Sequence, residues 1–166
     1  MAESPSAGAE PLMMESGTTS LDAYLAAARS ALERLDPADA HAATLRGALL
    51  VDIRPEFQRR RDGEIPGAAI VERNHLEWRL HPDSPARIPE ATSSDVQWIV
   101  LCDEGYASSL AAAVLRALGL DRATDVVGGL QAWRAAGMPL GAPGSASVPR
   151  LAPGAVPTGG MPQGPG

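Results

Sequence analysis

The chain has 166 residues, 45% of them hydrophobic, and a formal charge of −6, which is enough for one ordinary core and short for two. The negative balance disfavours nucleic acid or an anionic membrane as the main partner, since both reward clustered positive charge. All 14 basic residues are arginine, so Schiff-base chemistry, pyridoxal phosphate anchoring and a phosphate-binding lysine are excluded.

Residues 1–18 are small and polar without periodicity, and residues 141–166 are half glycine and proline. Neither composition builds a packed core, so both ends are expected to be disordered around a folded domain at residues 20–140. The N-terminus lacks the charged and apolar regions of a secretory signal, and no apolar run approaches the ~20 residues that span a bilayer. A single cysteine forms no internal disulfide, and the expected location is the cytoplasm.

In chain order, SLDAYLAAARSALERL (residues 20–35) carries Leu21, Leu25, Leu32 and Leu35 at helical spacing and predicts one amphipathic helix. A short second helix follows, with Asp36 as cap, Pro37 at its first position and Gly47 past its end. ALLVDI (48–53) and WIVLC (98–102) are continuous apolar runs, the pattern of strands buried on both faces of a parallel sheet; AAIVE (68–72) and TDVV (124–127) are shorter candidates. Helical stretches fall between them at PEFQRRR, NHLEWRL, SSLAAAVLRALG and LQAWRAAG. The alternation predicts an α/β fold, a parallel sheet with helices on both faces and sites at the carboxyl ends of the strands.

Cys102 falls at such an end. The residues after it, Asp103, Glu104, Gly105, Tyr106, Ala107 and Ser108, lead into a helix starting at Ser108 or Ser109. Consecutive backbone N–H groups with a glycine at the bend, feeding a helix N-terminus, make a concave anion site that suits a thiolate. The competing reading is an inert buried cysteine. The histidines, His41, His75 and His81, show no ligand spacing with each other or with Cys102, and no metal site is expected. Trp133 reads as core packing, and Arg59, Arg60 and Arg61 as an exposed helix end.

Four features in order and spacing make the chain resemble the single-domain rhodanese family. They are Asp52-x-Arg54, the Ile65-Pro66-Gly67-Ala68 turn, Cys102-x-x-Gly105, and Gly128-Gly129 followed by Trp133. The resemblance implies about five parallel strands flanked by helices, and a sulfurtransferase in which Cys102 carries sulfane sulfur as a persulfide. The N–H groups from Asp103 to Ser108 would cradle it, with Asp52 and Arg54 structural beside the site. It implies no metal or organic cofactor, a small-molecule or protein persulfide donor, and a thiol or cyanide-like acceptor.

The sequence departs from that pattern at three places. Ala107 stands where relatives often have an arginine for an anionic donor, Asp103 and Glu104 oppose an anion, and Glu64 replaces a histidine before the Ile-Pro-Gly turn. Thiosulfate is therefore expected to be a poor donor. Arg73 reads as a surface group, Arg79 as a candidate compensating cation at the rim, and Tyr106 as an outward-facing gate or partner contact. A phosphatase is disfavoured because the loop is shorter than in the related phosphatases and does not end in arginine. The alternative from a different class is a silent rhodanese-like binding or regulatory module, against which the retained Cys102 argues.

Overall fold

The structure, a computed structural model, describes residues 18–148. Four strands, β1 (Leu49–Asp52), β2 (Ala69–Ile70), β3 (Trp98–Leu101) and β4 (Thr124–Asp125), form an all-parallel sheet in the order β2-β1-β3-β4. The helices are α1 (Leu21–Ser30), α2 (Pro37–Leu45), α3 (Glu56–Asp62), α4 (Leu76–Leu80), α5 (Ala107–Ala117) and α6 (Gly129–Ala135), with a single 3₁₀ turn over Arg73–His75. None of them is long and apolar enough to cross a membrane.

The apolar runs become central strands because side chains alternate between two cores. Val51, Ile53, Trp98, Val100 and Cys102 enter one core with Leu76, Leu80, Ala111 and Leu115 from α4 and α5. Leu50, Ile99 and Leu101 enter the other with Ala40 and Ala43 of α2 and Leu130 and Trp133 of α6. Each fully buried large side chain contributes ~1.5–3 kcal/mol over an exposed one. Trp133 is 1% exposed, and its indole N–H donates to Pro139 O at 2.8 Å, so both its rings and its polar atom are satisfied.

The long first helix ends early. α1 stops at Ser30, and Leu35 pairs in parallel with Val126, adding the rudiment of a fifth strand beside β4. Leu35 N–H donates to Asp125 O at 3.1 Å and Val127 N–H to Leu35 O at 2.8 Å. Pro37 disfavours a helical conformation at Asp36, and Thr124 Oγ1 donates to Glu33 O at 2.7 Å. The sheet edge therefore offers residues 33–35 better partners than another helical turn. α2 forms as expected: Asp36 Oδ1 accepts from Asp39 N–H at 2.8 Å, and Gly47 takes a φ of +104°.

The folded domain was expected to end at residue 140, and the structure describes the chain on to residue 148. Residues 141–148 are tied to the β2 edge, with Gly141 bridging Glu64 and Ser147 bridging Ala69. Glu64 Oε2 accepts the N–H groups of Gly144 at 2.7 Å and Ala146 at 3.2 Å. A composition argument misses this segment because backbone N–H and C=O groups hold it, and those are the same in any sequence. The segments 1–17 and 149–166 lie outside the described residues.

Glu64, 6% exposed, has a carboxyl below its ordinary value of 4.5: burial would raise it, but the Ala146 and Gly144 N–H groups and Arg59 outweigh that cost. Because the folded value lies below the unfolded one, its contribution is complete above about pH 4.5 and is lost as pH falls through the lowered value. Glu64→Gln is expected to cost ~1–3 kcal/mol at pH 7. Urea unfolding at a series of pH values checks it, the gap from wild type narrowing toward acid; a constant gap would remove the carboxylate from the account.

Candidate active site

Cys102 follows β3 and is 7% exposed. Its Sγ accepts the N–H groups of Gly105 at 3.2 Å and Ser108 at 3.3 Å, and lies 3.2 Å from Ser108 Oγ. Donors aimed at sulfur are what a charged sulfur needs. The loop closes because Gly105 adopts a φ of +82°, open to glycine without a Cβ penalty. Behind it, Gly128 and Gly129 also have positive φ, and this brings Leu130 N–H to Cys102 O at 2.9 Å and Gln131 N–H to Asp103 O at 3.1 Å.

The residues expected at the site divide by position. Gly105 and Ser108 meet the sulfur, and Ala107 begins α5, one or two residues ahead of the expected start. Asp103 turns away: its carboxylate accepts from Gln131 Nε2 at 2.8 Å and faces Arg61 Nη2 at 3.5 Å. Glu104 and Tyr106 are exposed. Asp52 and Arg54 are buried and form an ion pair at 2.8 Å, with Arg54 Nη2 also donating to Gly63 O at 2.8 Å. That pair ties the end of β1 to the turn after α3.

Arg79 donates to Ala86 O at 3.1 Å and lines a surface groove with Arg59, Glu72, His75 and Val148, a groove that does not include the cysteine. Arg73 pairs with Glu77 at 2.7 Å. The arginine run was expected to be an exposed helix end, but it is not uniformly exposed. Arg59 is 8% exposed and donates to Arg54 O at 2.6 Å, while Arg61 joins Asp62 at 2.6 Å. Arg61 holds the Asp62 carboxyl below its ordinary range against the cost of burial.

Two guanidinium groups that bond to the loop's backbone were passed over by sequence reasoning. Arg29 Nη2 donates to Gly105 O at 2.7 Å and its Nε to Ser109 Oγ at 3.0 Å, and the group lies 5.5 Å from the Tyr106 ring centroid. Arg34 donates to Gly105 O at 3.1 Å and grips Asp125 through Nε at 2.8 Å and Nη2 at 3.1 Å. Asp125 Oδ2 also accepts the hydroxyls of Ser108 and Ser109, each at 2.8 Å. These residues lie some 70 to 90 positions from their partners, and no local spacing signals such pairs. Arg29→Met is expected to lower stability by about 1 kcal/mol, from a partly exposed cation–π contact and two hydrogen bonds. Denaturant unfolding checks it; an unchanged midpoint would make Arg29 a spectator.

The structure thus presents the cysteine in a loop of N–H donors at the carboxyl end of a strand in a parallel α/β domain. The chain belongs to the rhodanese family: the model for the rhodanese-like domain matches residues 30–136. It is 34% identical over 102 residues to a thiosulfate sulfurtransferase, GlpE, of Stutzerimonas stutzeri strain A1501, covering 61% of this chain and 84% of that one. Among solved structures it is similar to a Rhodopseudomonas palustris CGA009 protein of unknown function, described as a possible tyrosine phosphatase. That likeness has 35% identity and a TM-score of 0.68, covering 77% of this chain and 98% of the other. The polysulfide-sulfur transferase of Wolinella succinogenes, at 22% identity and a TM-score of 0.58, covers 72% of this chain and 85% of its own and shares the fold.

Proposed function

We propose that this protein is a sulfurtransferase in which Cys102 takes up one sulfane sulfur and passes it to a thiophilic acceptor. The observation that carries the reading is the pair of N–H donors, from Gly105 and Ser108, on the sulfur of the chain's single cysteine. Membership of the rhodanese family and the likeness to a thiosulfate sulfurtransferase support it. The Cys102 thiolate attacks the donor's sulfane sulfur, forming an S–S bond as the donor leaves with the electron pair. The terminal sulfur then carries the negative charge against the loop N–H groups. The acceptor attacks that sulfur and Cys102 departs as thiolate.

The donor is a low-molecular-weight or protein persulfide in preference to thiosulfate, and the acceptor a thiol or a cyanide-like nucleophile. Three features support this choice. Ala107 offers no guanidinium, Arg29 and Arg34 are occupied by Gly105 O, Ser109 and Asp125, and the exposed Glu104 repels a dianion. The phosphatase description belongs to the palustris protein. Here a phosphate would lack a loop arginine to neutralise it.

Intact-mass analysis after exposure to thiosulfate and, separately, to cysteine persulfide tests the proposal. One added sulfur that cyanide removes is expected, more from the persulfide. If neither donor loads the protein, sulfur transfer is overturned in favour of a binding module.

A further inference from the structure

The buried groups behind the cysteine form a continuous chain that the transfer reaction does not use. Cys102 Sγ is 3.2 Å from Ser108 Oγ, and Ser108 Oγ is 2.8 Å from Asp125 Oδ2. Ser108, Ser109 and Asp125 are each 0% exposed, so water does not compete for their hydrogen bonds. Ser108 has one hydroxyl proton and two candidate acceptors. The carboxylate is closer and gives the stronger, charge-assisted bond. With its proton on Asp125, the Ser108 oxygen turns a lone pair toward the sulfur. A thiol S–H can fill that lone pair, whereas a thiolate meets it as repulsion.

We propose that Asp125, acting through Ser108, is a positioning residue that sets the protonation of Cys102. It holds the Ser108 hydroxyl as an acceptor and so favours the thiol in the sulfur-free protein. This rests on the sulfur-carrier reading for its purpose. Once Cys102 bears a persulfide, Sγ has no proton to give and the preference disappears, leaving the terminal charge to the loop N–H groups. The balance is thereby tilted toward release of sulfur. No bond to Ser108 or Asp125 is made or broken, and the thiol proton leaves to solvent.

Other charged groups around the sulfur are already engaged. Arg29 from α1 lies on Gly105 O and Ser109, and Arg34 from the connection after α1 on Gly105 O and Asp125. Asp103 lies on Gln131 of α6 and faces Arg61 of α3. Glu104 and Tyr106 are exposed on the loop itself. The Ser108 hydroxyl touches the sulfur, and its proton can point to either the sulfur or Asp125.

The test is the pH profile of iodoacetamide alkylation of Cys102, followed by intact mass, in the full chain and its variants. Ser108→Ala removes the lone pair while leaving the Arg34–Asp125 pair in place, and the profile is expected to move to lower pH. Asp125→Asn places an amide donor toward Ser108 Oγ, frees the hydroxyl to donate to sulfur, and is expected to move the profile further, by about one pH unit. In a Ser108→Ala background the Asp125→Asn substitution is expected to add little. A shift to higher pH in Ser108→Ala means that the hydroxyl donates to the thiolate, and overturns the proposal. So does an Asp125→Asn shift that survives undiminished without Ser108, since charge alone then accounts for it. Should Asp125→Asn fail to fold, the sign of the Ser108→Ala shift decides. Failure of the wild type to load sulfur would sink the sulfurtransferase reading while leaving these profiles interpretable.

Discussion

Replacing Cys102 by serine is expected to abolish sulfur uptake, a loss of more than about 10³-fold, while leaving the domain folded. The hydroxyl is close in size to the thiol and can accept the same Gly105 and Ser108 N–H groups, so the loop retains its internal partners. Stability should change by less than about 1 kcal/mol, the range of a near-isosteric exchange. Chemistry is lost for a separate reason: an alcohol is not appreciably ionised at neutral pH and does not form the S–S bond through which sulfur is carried. The chain has no second cysteine to substitute for the first. A serine variant that still gained one cyanide-removable sulfur would place the acceptor elsewhere and end the assignment.

Gly105→Ala is expected to lower stability by about 3 kcal/mol and to slow sulfur loading at least ~10-fold. Two costs combine. The φ of +82° is disfavoured for alanine, at ~1–2 kcal/mol, and the added Cβ would sit 2.7 Å from Gly128 N and 3.2 Å from Gly129 N. Those neighbours are backbone of the turn into α6 and have no rotamer through which to yield. Any shift also moves a cradle donor, the Gly105 N–H, and the carbonyl that Arg29 and Arg34 share. Gly119→Ala is the matched control: its φ is +88°, but a Cβ there meets nothing within 4 Å, so only the ~1–2 kcal/mol conformational cost applies. Thermal or urea unfolding of both variants, with loading followed by mass, separates the effects. Equal destabilisation would show that close approach to Gly128 contributes nothing.

Much of the architecture was legible because it rests on local pattern. Continuous apolar runs at residues 48–53 and 98–102 predicted β1 and β3, and Asp36-Pro37 with Gly47 predicted the start and end of α2. The position of Cys102 at a strand's carboxyl end, with Gly105 three residues on, led to the expectation of N–H donors from Asp103 to Ser108, and in the structure the Gly105 and Ser108 groups reach the sulfur. Readings from composition or from one face of a helix fared less well. Leu35 fits a helical stripe but joins the sheet edge, and the glycine- and proline-rich stretch at 141–148 is held by Glu64 and the β2 edge. In each case distant backbone groups outcompete the local preference.

The electrostatics of the loop divide the same way. Asp103 next to the cysteine reads as repulsion, and Arg79 as a remedy. In the fold Gln131 and Arg61 draw Asp103 aside, and Arg79 bonds to Ala86. The cations that bond to the loop's backbone, Arg29 and Arg34, come from the end of α1 and the segment after it, and Arg34's partner Asp125 comes from β4. What the sequence determined by itself was the α/β alternation, the strand order along the chain and the one cysteine at a strand end, because these depend on residues within a few positions of each other. The charges behind that cysteine were decided only by tertiary structure. Coulomb and hydrogen-bond energies depend on distance in space, and the sheet brings together groups some 70 to 90 residues apart.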